Sequence, residues 1–166
     1  MFAHIQKADK GLAAIERGLV IALTAAIACI MVAQVFMRYF FSAPIFWAEE
    51  ISVQLLVFAT LFGLSLLVHH GQLVTIDFLP QALRPRARHA LLAVLGLVML
   101  GLFAFVCWLG LDWVSRPEVR VELGATTQLP RWYNYSVLPA AMAVMAWHQF
   151  AAILRDARAA LTGAIK

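Results

Sequence analysis

Four apolar runs, 18–41, 51–69, 90–111 and 135–154, leave this chain few ways to fold. Each is close to the about 20 residues that a helix needs to cross a bilayer at roughly 1.5 Å per residue. None alternates with period two, and each mixes helix formers with β-branched residues, so helices are expected rather than barrel strands. Of 166 residues, 63% are hydrophobic and only 13% charged. A water-soluble domain of this size has too little interior for so much apolar side chain, and lipid becomes the solvent for most of it. The sequence therefore predicts an all-α integral membrane protein, a single membrane domain of four transmembrane helices.

The lysines and arginines give the orientation. One side of the bilayer receives Lys7, Lys10, Arg17, Arg84, Arg86, Arg88, Arg155, Arg158 and Lys166; the other receives Arg38, Arg116, Arg120 and Arg131. Positive charge is retained in the cytoplasm, so both termini are expected there, with the 38–50 hairpin and the 112–134 loop facing outward. The net charge of +4 follows the same pattern, with basic residues grouped at the ends of apolar runs. It points to topology and a lipid partner, and away from nucleic acid. Cys29 and Cys107 each lie inside an apolar run, which suggests neither a disulfide framework nor a thiolate metal site. The apolar run continues through Ile30-Met31-Val32-Ala33, beyond a signal peptide's h-region, so the N-terminus is expected to be retained.

Between the second and third helices lies HHGQLVTIDFLPQALRPRARH, too apolar for a free loop and too interrupted to span. Ile76, Leu79 and Leu83 at helical spacing, beside Asp77 and the basic Arg84, Arg86 and Arg88, predict an interfacial segment on the inner leaflet. On the first helix, Ala22, Ala25, Ala26, Cys29 and Ala33 recur at spacings of three and four. Such a stripe admits a close helix neighbour, internal or from another protein.

The most distinctive stretch is QVFMRYFFSAPIFWAEE, 34–50. Arg38 falls in the last turn of one helix and Glu49 and Glu50 in the first turn of the next, each opposing its helix dipole favourably. Ser42-Ala43-Pro44 supplies the turn, and Phe40, Phe41, Phe46 and Trp47 suit headgroup depth. Two readings are open: an ion pair that fixes helix ends, or a contact with a partner.

The helix centres fall near Ala28, Thr60, Leu100 and Met145, and no Asp, Glu, Lys or Arg lies close to them. Ion and proton pathways ordinarily need such groups at mid-depth, so a solitary pump or channel is disfavoured. No phosphate loop, metal-spaced His/Glu set or nucleophile with a base occurs, and an enzyme is not expected. The competing class is a haem-binding or quinone-site membrane anchor of a respiratory complex, using His148. Bis-histidine ligation needs two imidazoles at matching depth, whereas His69 and His70 lie at the boundary.

Three patches together resemble the small four-helix membrane subunit of tripartite ATP-independent periplasmic (TRAP) transporters. They are Gln34-Val35-Phe36 with Arg38-Tyr39 followed by Trp47, Glu49 and Glu50; the Gly71 to Asp77 segment; and Leu129-Pro130-Arg131-Trp132-Tyr133 through Tyr135 to Leu138-Pro139. Such subunits often carry His-Val-x-Val-Asp in the second patch. Here Leu73-Val74-Thr75-Ile76-Asp77 stands instead, and no role of that His carries over. The resemblance implies a complex in which a soluble periplasmic receptor delivers an organic anion to a large membrane subunit holding the substrate and sodium sites. The small subunit would need no cofactor of its own and would enlarge the static scaffold. It marks Arg38, Tyr39, Trp47, Glu49, Glu50, Asp77, Pro130, Trp132 and Tyr135 as candidates for fixing the hairpin or meeting a partner.

Overall fold

A computed structural model describes residues 2–72 and 85–162. The helices are α1 (Phe2–Phe40), α2 (Ala48–His70), α3 (Pro85–Ser115), the short α4 (Pro117–Val121) and α5 (Trp132–Thr162). Four of them are long and apolar enough to cross a membrane. The all-α, four-span expectation holds, and no strand occurs among the described residues beyond an isolated bridge between Leu123 and Pro130. The interfacial segment expected after α2, including Asp77, lies mostly outside the described residues, and α3 begins at Pro85.

α1 packs on α2, α2 on α5, and α5 on α3; α1 also meets α5 at the end that holds both termini, while α1 and α3 do not touch. Lipid removes the hydrophobic incentive between helices, so this packing relies on close approach. Gly110 of α3 admits the Pro139 ring of α5, where an added Cβ would come within 3.1 Å. Beside it the Cys107 thiol donates to the Pro139 carbonyl at 3.3 Å. Val68, Phe103, Ala141, Met142 and Met145 form the small buried core of α2, α3 and α5. The Thr24 and Thr60 hydroxyls bond back to the carbonyls of Val20 and Leu56, both at 2.8 Å, so neither needs a partner in lipid.

Along α1 the inward-facing positions are Asp9, Ala13, Glu16, Val20, Leu23, Ile27, Ile30, Gln34 and Met37. These alternate by four and three, the 3.5-residue seam of a helix wrapping a neighbour. The first helix thus begins well before residue 18, because the seam continues through polar residues that face α2 and α5. Most of the small-residue stripe, Ala22, Ala25, Cys29 and Ala33, is exposed on the opposite side.

At the hairpin end, α1 closes with the Phe41 and Ala43 amides donating to the Met37 carbonyl, and Ser42 takes a left-handed φ of 50°. The largely buried Gln34 side chain accepts from the Ile45 amide at 2.9 Å and ties the turn to the helix. At the other end Gly71, with φ 69°, caps α2: its amide reaches Val68 and that of Gln72 reaches Leu67, both at 3.0 Å.

Candidate functional site

The hairpin end is organised by Glu50. It projects from the first turn of α2 into the α4–α5 connection, where residues 122–131 fold back on themselves. There the Gly124 amide donates to Leu129 and the Arg131 amide to Glu122, each at 2.8 Å. The Thr126 and Thr127 amides donate to Glu50 Oε2 at 2.7 and 3.1 Å. The Thr126 hydroxyl joins them on Oε2, and the Thr127 hydroxyl donates to Oε1 at 3.1 Å. Two amides and two hydroxyls aimed at one carboxylate form charge-assisted hydrogen bonds that fix the loop to α2. Gly124 lets this clasp close, since an added Cβ would fall against Glu50 Oε1 and the Thr127 hydroxyl and one of them would have to shift.

A second carboxylate braces the same loop from α5. Glu122 accepts from Arg131 at 3.1 Å and from the Tyr135 hydroxyl at 3.2 Å. Tyr135 and Glu122 hold the Arg131 guanidinium above its ordinary pKa range. Between α2 and α5, Glu49, Glu50, Val53, Val57, Arg131 and Tyr135 line an open groove of about 440 Å³, apolar in its depth and charged at its rim.

The remaining candidate residues are placed as follows. Glu50 does not pair with Arg38. Arg38 instead lies over its neighbour Tyr39, 5.2 Å from the ring centre, with a long 3.4 Å contact to the hydroxyl. Tyr39 and Trp47 are exposed, and Trp47 occupies the N-cap position of α2 without a side-chain cap bond. Pro130 forms the bridge with Leu123, and Trp132 opens α5 half-exposed. The structure therefore brings together Glu50 and Tyr135 through the loop, and leaves Arg38 apart from them.

A second cluster, at the end that holds both termini, was not legible as a site in the sequence. His148 of α5 is 1% exposed and lies between two carboxylates of α1: Nδ1 is 2.6 Å from Asp9 Oδ1 and Nε2 is 2.7 Å from Glu16 Oε2. Asp9 and Glu16 are themselves 1% and 3% exposed. His69 of α2 closes the group, its Nδ1 3.0 Å from Asp9 Oδ2. Gln6 spans the rim, donating to the Ala151 carbonyl and accepting from Arg155. The expectation that His69 and His148 lie at unmatched depths is corrected: their rings meet at 4.9 Å. That contact leaves no room for a porphyrin between the rings, and carboxylates engage both nitrogens of His148, so haem ligation is not favoured. The available signal was the seven-residue interval from Asp9 to Glu16, in phase with the apolar seam above it.

The family model for the DctQ component of tripartite ATP-independent periplasmic transporters matches residues 27–159. No curated protein matches the chain. The matched region contains the hairpin, Glu50, the 122–131 loop and His148, while Asp9 and Glu16 precede it.

Proposed function

We infer, from the premise that this chain belongs to the DctQ component family of tripartite ATP-independent periplasmic transporters, that it is the small scaffold subunit of a sodium-coupled, receptor-dependent importer of an organic anion such as a carboxylate. The observation that carries the scaffold role is that the apolar stretches 18–37, 51–69, 90–111 and 135–154 hold no Asp, Glu, Lys or Arg. A chain built this way depends on a partner for the substrate and sodium sites. The large membrane subunit is the natural holder of both.

The excess of Lys and Arg at the terminal end supports placement of both termini in the cytoplasm of a bacterial inner membrane, with the hairpin end toward the periplasm. On that orientation, exposed Arg38, Tyr39 and Trp47 and the groove beside Glu49 are the surfaces offered to the large subunit or the docked receptor. The exposed Ala22, Ala25, Cys29 and Ala33 stripe suits close approach of a partner helix within the bilayer.

The test is reconstitution of this chain with a large membrane subunit of such a transporter, in liposomes carrying an imposed sodium gradient and supplied with the receptor. Carboxylate uptake should need all three proteins and the gradient. Equal uptake without this chain would overturn the scaffold role, and uptake indifferent to sodium or to the receptor would overturn the coupling.

A further inference from the structure

We infer that Asp9, His69 and His148 form a divalent metal site of the zinc class, which clamps α1, α2 and α5 together at the end holding both termini. Their ligand atoms lie within 4.8 Å of one another, and the residues come from three different helices. Two imidazoles and one carboxylate are a donor set that suits zinc and its neighbours, with a fourth position left for water.

Glu16 makes His148 a directed ligand. With the ring proton on Nε2, 2.7 Å from Glu16 Oε2, Nδ1 would be free to ligate an ion held together with Asp9 and His69. A carboxylate behind a ligating histidine is the usual outer-shell support of a metal site. Two further atoms point the same way: Asp9 Oδ2 and His69 Nδ1 are buried, 3.0 Å apart, and neither makes a directed hydrogen bond. His70 turns away, donating from Nδ1 to the Leu66 carbonyl at 2.6 Å.

Both nitrogens of His148 already face carboxylate oxygens, and a divalent ion would enter on the Nδ1 side, between His148 and Asp9. Asp9 Oδ1 and His148 Nδ1, now 2.6 Å apart, would separate to about 3.3 Å, the spacing set by bonds of roughly 2.0–2.1 Å in a tetrahedral site. Beside His69 lies an open pocket lined also by Lys10, Arg17 and His70.

The experiment is titration of Co²⁺ and Zn²⁺ into the full-length chain, purified in detergent without a histidine tag and stripped with chelator. One equivalent of Co²⁺ should bind, with the visible absorption of a low-coordinate site, and Zn²⁺ should displace it. His69→Gln, at the most accessible of the three positions, should abolish binding while the chain stays folded. Glu16→Gln should weaken binding about 10–100-fold, and His70→Gln should leave it unchanged. If the unsubstituted chain binds no more Co²⁺ than His69→Gln, the site is a proton-bridged ion cluster and the inference fails. Unchanged binding in both His69→Gln and Glu16→Gln would also overturn it.

Discussion

Glu50 Oε2 accepts the Thr126 amide at 2.7 Å across a sequence separation of 76 residues, so the second helix and the loop before the last one form a single unit at the hairpin end. Glu50→Gln keeps the size of the side chain but removes the charge and half of its accepting capacity. Amide exchange at Thr126 and Thr127 should then rise by roughly an order of magnitude, approaching that of an open loop. Hydrogen–deuterium exchange on the purified chain measures this. Unchanged protection would mean that the loop is held by Glu122 and Arg131 alone.

Gly124→Ala should reproduce the same loosening, because the new methyl occupies the place of Glu50 Oε1. The two substitutions remove one interaction, so their combination should be no worse than either alone. Additive effects in the double variant would separate Gly124 from the clasp.

Arg38→Gln tests the opposite case. The guanidinium rests on its exposed neighbour Tyr39, so stability should change by less than about 0.5 kcal/mol. Any loss of co-purification with the large subunit in this variant then reports a contact between proteins. Thermal unfolding followed by pull-down gives both readings on one sample.

At the other end, His148→Ala leaves Asp9 and Glu16 buried without the ring that lies between them. Removing one member of such a group costs about 3–5 kcal/mol, whereas exchanging all three for leucine should recover much of the loss. Unfolding in a denaturing detergent series compares the single and triple variants. A triple variant no more stable than His148→Ala would show that the cluster is a net source of stability.

Gly110→Leu should cost about 1–3 kcal/mol by forcing α3 away from the Pro139 ring, with Gly110→Ala the milder change. The same unfolding series measures it, and equal stability of the two variants would mean that the α3–α5 contact adjusts freely.

The four spans were legible because length and apolarity act locally: each run announces itself without reference to the others. Glu50 was recognisable as unusual, but its partners were not, since Thr126 and Thr127 sit in a loop whose hydroxyls could equally face water. The early start of α1 was hidden for a related reason. Gln6, Asp9 and Glu16 resemble a solvated tail until His148 and Arg155, more than 130 residues later, are placed opposite them. The period of the seam was present in the sequence, but hydropathy masks a helical repeat whose inward positions turn from leucine to carboxylate.

α2 carries Glu50 in its first turn and His69 in its last, so one helix is held at both ends by polar partners from distant parts of the chain. α5 is tied in the same way, by Tyr135 to Glu122 near its start and by His148 to Asp9 and Glu16 further along. In lipid, where apolar faces alone give helices little reason to associate, such end ties set which helices are neighbours and leave close packing to settle the distance between them.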